Sequence, residues 1–513
     1  MIAAPDLERL NEQQVRDLAA QLLIEVRHKQ AAIDKLTHEM AVLKRLRFAA
    51  RSEQFSVEQR SLLEEDTESD LQALAKELEQ LAPPARDAAE KNQPKRQPLP
   101  AHLPRREILH EPNETTCRCG CALKRIGEDV AEKLDYVPGV FTVERHVRGK
   151  WVCTKCETLI QAPVPAHVID KGIPTAGLIA QVLVAKYADH QPLYRQEGIF
   201  ARAGLAIPRS TQAQWVGTAG VQLTPIVQAM KRDLLTRSVL HADETPVAML
   251  APGRGKTHKA YLWSYCSTVY DSIAAVVFDF AESRSGRHAR EFLGFGEDDD
   301  ERRWRGTLVC DDYSAYKALF EQGVTEAGCL AHARRKFHEL WANHKSTLAA
   351  EALTLFGKLY DVERDLQGLD ADERRRQRQL HAKPVVELLH AWLLAQRQKV
   401  PAGSATARAI DYSLGRWNAL TRYLDNGAVP IDNNRVENLI RPIALGRSNW
   451  LFAGSLRAGQ RAAAVMSLVH TAKLNGHDPY AYLKDVLERL PTQRASRIDE
   501  LLPYHWQSGI ASS

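Results

Sequence analysis

Three acidic phrases carry the residue types that chemistry at a phosphate needs: Leu240-His241-Ala242-Asp243-Glu244-Thr245, Val309-Cys310-Asp311-Asp312-Tyr313-Ser314-Ala315-Tyr316 and Asp432-Asn433-Asn434-Arg435-Val436-Glu437-Asn438. The first two each end a hydrophobic run that reads as a buried strand, and the third opens a helix. Two strand-end aspartates and one helix-borne glutamate, far apart along the chain, can meet in a single carboxylate cluster. Such a cluster holds divalent cations, and a pair of cations is the apparatus of phosphoryl transfer. Mg2+ (or Mn2+) is the expected ion, since hard cations favour carboxylate, water and phosphate oxygens. Each aspartate has an acidic neighbour, Glu244 or Asp312. Successive strand side chains point to opposite faces, so at most one of each pair enters a shared site unless the strand has already ended. Taken singly, each carboxylate is equally a solvated strand end or a helix cap.

A second constellation is thiol-based. Cys117-Arg118-Cys119-Gly120-Cys121 is followed by Cys153-Thr154-Lys155-Cys156, and two residues between thiolates let both face one tetrahedral Zn2+. The expected ligands are Cys117, Cys119, Cys153 and Cys156, with Cys121 a rival for a place in the first pair. Between the clusters, Lys133 to Val147 alternates apolar and polar residues about Pro138-Gly139, the pattern of a hairpin.

The elements that must position these groups follow from periodicity. Ser238–Asp243, Tyr261–Ser267 and Ser272–Phe280 read as strands. A helix over Gly286–Leu293 follows, then a strand at Gly306–Cys310, a helix at Ser314–Phe320 and an apolar piece at Thr325–Leu330 that runs into a helix at His332–Leu340. Residues from about 338 to 430 read as a helical insertion, with Val385, Leu388, Leu389 and Trp392 on one apolar face and Ile410, Leu414, Trp417, Leu420 and Leu424 on another. Asp432 is placed to cap the helix that bears Glu437, and Pro442 to break or kink it. Upstream, Leu193 to Ala203, Gly204 and a helix capped by Ser210-Thr211 outline a helix-turn-helix in which Arg209, Gln212 and Gln214 can face a DNA groove; a packed helical hairpin fits the same residues better.

Residues 12–48 read as one helix whose seam of Val15, Ala19, Leu22, Val26, Ile33, Leu36, Met40 and Leu43 is interrupted by Lys29, as a coiled coil tolerates. A homo-oligomer is the expectation, with an amphipathic helix packed on its own protein as the alternative. The stretch from Pro83 to Arg106, rich in proline and more basic than acidic, reads as a flexible linker.

The acidic phrases resemble the Asp-Asp-Glu signature of the insertion sequence 66 family of bacterial transposases. Cys329-Leu330-Ala331-His332-Ala333-Arg334-Arg335-Lys336-Phe337, Arg441-Pro442 and Gly446-Arg447-Ser448-Asn449-Trp450-Leu451-Phe452 extend the likeness, as do the cysteine region and the N-terminal helix. The resemblance implies Asp243, Asp311 and Glu437 as catalytic metal ligands, although the family usually has glycine where this chain has Asp312. It also implies a zinc-finger-like module, a leucine-zipper-like segment and a ribonuclease H-like core, a fold that agrees with the strand and helix order above. The implied activity is binding of double-stranded DNA at an element's terminal inverted repeats, metal-dependent strand cleavage and strand transfer to target DNA, with small companion proteins as further partners. Arg335, Arg441 and Arg447 are expected to grip DNA phosphates, where guanidinium forks fit well. The alternatives are a structure-specific nuclease of the same fold and a non-catalytic zinc-containing DNA-binding regulator.

The expected architecture is thus multidomain α/β plus α: 1–82 coiled-coil helices, 83–106 linker, 107–168 zinc module, 169–236 helical and a candidate for DNA binding, 237–475 catalytic core with its insertion, and 476–513 a helical tail. A chain of 513 residues can bury several cores, and a formal charge of +5 says little by itself about nucleic acid. No apolar stretch approaches ~18 residues, so no membrane span is expected. Asp6, Glu8 and Arg9 precede any apolar run, unlike a secretory signal. Clustered thiols beside single Cys266, Cys310 and Cys329 fit a reducing cytoplasm, and the family resemblance implies a bacterial, nucleoid-associated protein.

Overall fold

The computed structural model describes residues 12–49, 57–81, 99–101, 103–112, 116, 121–137, 139–169, 172–251, 256–296 and 303–507. The chain forms two compact units: 1–182, 193–222 and 251–256 in one, and 183–192, 223–250 and 257–513 in the other. Among the described residues no helix is long and apolar enough to cross a membrane.

The first unit contains two long helices, α1 (Glu12–Ala49) and α2 (Val57–Leu81), which pack on each other. Only the C-terminal part of the sequence-derived seam is covered. Leu36 is buried, whereas Leu22 and Val26 stand exposed. The first unit also holds a small sheet of β1 (Arg105–His110), β2 (Leu123–Val137), β3 (Val140–Cys153) and β4 (Leu159–Gln161). β2 and β3 form the expected antiparallel hairpin, and Gly139 at its turn takes a φ of 92°, which suits glycine.

Helices α3 (Ala176–Tyr187), α4 (Leu193–Arg202) and α5 (Arg209–Leu234) follow. The sequence pattern places a Ser210-Thr211 cap at the start of the last of these, but it begins at Arg209 and runs through Pro225 to Leu234. Helix α2 finds its partner here, within its own chain. Ser69 donates to the Ala213 carbonyl at 3.0 Å, and Glu65 accepts the Leu193 N–H at 3.0 Å. A Cβ at Gly217 would lie 2.4 Å from the Ser69 carbonyl, so glycine is what lets the two helices touch. Gln212 is fully buried, Arg209 pairs with Glu64 and Gln214 with Glu68. The three groove-facing candidates are thus held in a packed helical arrangement.

The second unit is built on a five-stranded sheet: β5 (Val239–Ala251), β6 (Lys256–Ser267), β7 (Val276–Ala281), β8 (Thr307–Cys310) and β9 (Thr325–Gly328), in the spatial order β7-β6-β5-β8-β9. β6 and β7 are antiparallel, while β8 runs parallel to both β5 and β9. Between β7 and β8 lies α6 (Gly286–Phe292), and between β8 and β9 a short turn of helix leads into α7 (Lys317–Glu321). The strands fall on the expected runs of β-branched and aromatic residues, with shifted ends: β6 starts at Lys256 rather than Tyr261, β7 at Val276 rather than Ser272, and β9 stops at Gly328. β5 does not end at Asp243 but continues to Ala251.

Helices α8 (Leu330–His344), α9 (Thr347–Asp365), α10 (Ala371–Gln377), α11 (Lys383–Arg397), α12 (Ala405–Gly415) and α13 (Trp417–Thr421) make up the helical region. They share one hydrophobic cluster with the sheet, in which Val239, Val309 and Ala327 meet Phe337, Phe356, Leu389 and Ile410. The insertion is therefore continuous with the core. At its centre Arg378 is fully buried against Glu363 at 2.6 Å and donates to the carbonyls of Tyr423, Asn426 and Val429.

Three helices complete the unit: α14 (Asn434–Trp450), α15 (Leu456–Leu474) and α16 (Pro479–Arg489). Pro442 does not end α14, which continues for two turns beyond it. α15 lies along the free edge of β7 and satisfies it. Ser467 accepts the Phe278 N–H at 2.8 Å, Thr471 bonds both polar groups of Val276, and Asn475 donates to the Ala274 carbonyl. Hydroxyl and amide side chains four residues apart on one helix face stand in for a neighbouring strand and leave no exposed edge there.

Candidate functional site

The parallel register pairs Val239 with Thr307 and His241 with Val309, so two residues further on Asp243 stands level with Asp311. β8 stops at Cys310 while β5 runs on, which opens a gap in the sheet beside Asp243. Alternation then separates the acidic neighbours. Glu244 is buried on the other face, held by Arg284 at 2.5 and 2.8 Å and by the Tyr316 hydroxyl at 2.9 Å. Tyr316 belongs to the second acidic phrase, so that phrase supplies both a carboxylate and the clamp on the first phrase's spare one. Arg284 is itself stacked over Tyr313, 3.7 Å from the ring centre.

Asp312 is likewise engaged. It pairs with Arg416, whose other nitrogen reaches Glu326 at 2.7 Å. Asp311 instead accepts the Tyr313 N–H at 3.0 Å, a short turn that fixes its carboxylate just past the strand end.

Glu437 arrives from the first turn of α14. The residue that seats this helix is Asn433, which is almost wholly buried. Its amide donates to the Ala242 carbonyl at 2.9 Å, and its Oδ1 lies 2.8 Å from His241 Nδ1. The amide carbonyl must be an acceptor there, so His241 donates from Nδ1. Burial pushes the His241 imidazole down to about 4, which keeps it neutral in this role. Asn433 thus ties the start of α14 to the strand position next to Asp243. Asp432, expected as the cap, sits one residue before the N-cap. Its carboxylate accepts the Asn434 N–H at 3.0 Å and the Tyr360 hydroxyl at 3.0 Å.

Burial, then the charge of Glu244, then those of Asp311 and Glu437, hold the Asp243 carboxyl up to about 8. Among the described residues the oxygens of Asp243, Asp311 and Glu437 are not all within 4.8 Å of one another; the triad that is comprises Cys329, His332 and Glu437.

Of the basic candidates, Arg335 pairs with Glu437 at 3.2 Å. Arg447 donates to the Pro246 carbonyl at 2.5 Å and so fastens α14 along β5. Arg441 is exposed on α14.

In the thiol module, Cys153 and Cys156 lie on a tight turn in which the Glu157 N–H bonds the Cys153 carbonyl at 2.8 Å and Glu157 takes a φ of 57°. Cys121 packs against Leu123 and Cys153. Cys117 and Cys119 lie outside the described residues. The antiparallel bridge between Thr116 and Ala122 draws together the two ends of the segment that holds them.

Sequence reasoning missed Arg284, Arg416 and Asn433. Only Asn433 left a signal, as a polar residue inside the third acidic phrase.

Comparison with known proteins adds family membership. A family model described as "Transposase IS66 family" matches residues 171–461, and "IS66 C-terminal element" matches 467–504. "Transposase C of IS166 homeodomain" matches 35–108, and "zinc-finger binding domain of transposase IS66" matches 114–157. Three similar proteins come from Sinorhizobium fredii, each called uncharacterized. Protein y4jD is 37% identical over 80% of this chain and 82% of its own length. Protein y4hP is 33% identical over 94% and 89%, and y4qI 36% identical over 93% and 89%.

Proposed function

The chain belongs to the IS66 family of transposases, and from that premise we propose that it is an Asp-Asp-Glu enzyme that cuts DNA at the ends of an insertion sequence and joins them to target DNA. The observation that carries this reading is the Asp243 carboxyl, buried and held up to about 8 partly by Asp311 and Glu437, two acids from distant segments. Mutual repulsion of this kind is relieved by divalent cations. The ribonuclease H-like core expected from the element order is supported by the strand sequence β7-β6-β5-β8-β9, with β6 antiparallel to β7 and β8 parallel to both β5 and β9.

In this proposal Asp243, Asp311 and Glu437 hold Mg2+ or Mn2+. When bound, the paired cations would activate the attacking water or 3′-hydroxyl and stabilise the departing 3′ oxygen. Glu244 and Asp312 take no part, since Arg284, Tyr316 and Arg416 already neutralise them. Asn433 is a positioning residue for Glu437. Arg441 is the basic candidate most open to a phosphate, while Arg335 and Arg447 would reach DNA only by giving up their present partners. The zinc module would use Cys153 and Cys156 with two thiols from the 117–121 cluster. Its contact with Cys153 makes Cys121 a stronger candidate than its spacing alone suggested. Double-stranded DNA carrying terminal inverted repeats is the proposed substrate, for a homo-oligomer assisted by small companion proteins.

The test is metal-dependent nicking of end-containing DNA, followed by strand transfer from pre-cut ends. Asp243→Ala should abolish both steps while retaining most DNA-end binding. Wild-type cleavage by that variant would overturn the catalytic assignment. Cleavage without joining would make the protein a nuclease.

A further inference from the structure

Cys329 and His332 open α8 opposite the first turn of α14. Cys329 Sγ, a His332 ring nitrogen and a Glu437 oxygen lie within 4.8 Å of one another. His332 Nδ1 and Glu437 Oε1 are 3.6 Å apart, too far for a hydrogen bond. Both atoms are buried, and among the described residues neither has a hydrogen-bond partner. Ligands at about 2.1 Å from one ion are separated by roughly 3–3.6 Å, so the gap is the size a shared cation leaves. Cys329 Sγ accepts the Asn433 N–H at 3.2 Å, and the backbone groups of Asn433 and His332 both favour the thiolate. Burial nevertheless pushes the free thiol up to about 12, so the sulfur becomes a ligand only when a cation displaces its proton to solvent. Sulfur and imidazole nitrogen are poor ligands for Mg2+ and good ones for borderline cations.

We propose that Cys329, His332 and Glu437 form a site for a divalent cation of the zinc class, and that its occupancy withdraws Glu437 from the Asp243–Asp311 centre. The site itself stands on the geometry of these three side chains. The competition for Glu437 rests on the function proposed above. Zinc would then act as an inhibitor at a position set by this chain's own residues, distinct from the cysteine module.

The test is titration of the full chain, its cysteine module loaded with zinc, with Co2+. One thiolate-ligated Co2+ per chain is expected, with thiolate-to-cobalt absorption in the near ultraviolet and the visible bands of a four-coordinate ion. Cys329→Ser should lose the near-ultraviolet band, and His332→Ala should weaken binding by about 10-fold or more. Asp243→Asn should keep both. Absence of the near-ultraviolet band in wild type, or its persistence in Cys329→Ser, would overturn the site. Circular dichroism checks that each variant folds, and half-exposed His332 supplies the decisive variant if Cys329→Ser does not. In a second arm, Zn2+ should inhibit Mg2+-dependent nicking by wild type and inhibit His332→Ala at least several-fold less. Equal inhibition of the two would overturn the competition. Complete absence of nicking would sink the functional reading instead, and cobalt binding would still decide the site.

Discussion

At Asp243 the folded chain retains a proton that the unfolded chain releases. Its pKa is raised from the ordinary 3.8 to about 8, so between those values the native state binds more protons, and stability contributed by this group falls as pH rises. The loss is complete above about 8. In the presence of a chelator, thermal midpoints measured from pH 6 to pH 9 should therefore fall more steeply for wild type than for Asp243→Asn, with a difference of a few degrees or so at the alkaline end. Added Mg2+ should restore the wild type there and leave the variant unmoved. Parallel pH profiles would show that Asp243 does not feel the other acids. Asn433 makes a different prediction, because it acts by seating a helix. Asn433→Ala removes the bonds to Ala242 and His241 and should cost about 1–3 kcal/mol by denaturant titration. Nicking should fall by more than DNA-end affinity, since Glu437 is displaced while the DNA-binding surface is kept.

At the scale of elements, the helical insertion sets the approach to α14. Arg378 lies between α10 and α11 and binds the carbonyls of Tyr423, Asn426 and Val429, on the segment that leads directly into Asp432 and Asn433. Glu363 on α9 neutralises it at 2.6 Å with both side chains out of water. Glu363→Gln leaves a buried guanidinium without its counter-charge and should destabilise the second unit by about 3–5 kcal/mol, read by denaturant titration. Replacing both residues by apolar ones of similar size should recover stability better than activity, because the carbonyls of the approach segment lose their donor. Equal recovery of the two would show that the insertion only props up the sheet.

For the whole molecule, the informative surface is the uncovered half of the N-terminal seam. Leu22 and Val26 of the seam are 52% and 60% exposed on a 38-residue helix, whereas Leu36 further along is buried. Exposed apolar residues at coiled-coil spacing are stabilised by a second copy of the same helix. Light scattering on the full chain should give a multiple of 57.5 kDa, and a Leu22→Glu, Val26→Glu double variant should lower it. A monomeric wild type would assign the seam to packing within the chain.

The local pattern of the sequence determined which elements of the second unit form and in what order, because apolar runs, turn residues and β-branched stretches act over a few neighbours. It also marked the candidates for chemistry: three carboxylates and a thiol module are recognisable from type and spacing. It did not determine where β5 ends or that α14 survives Pro442, since each depends on packing partners remote in the chain. Alternation alone did not choose between adjacent acids, a choice that rested on the family resemblance. Glu244 and Asp312 are withdrawn by Arg284, Tyr316 and Arg416, and Glu437 is delivered by an asparagine that reads a strand nearly two hundred residues away. Charge pairing is decided by proximity in space, and only the tertiary structure brings those groups within reach.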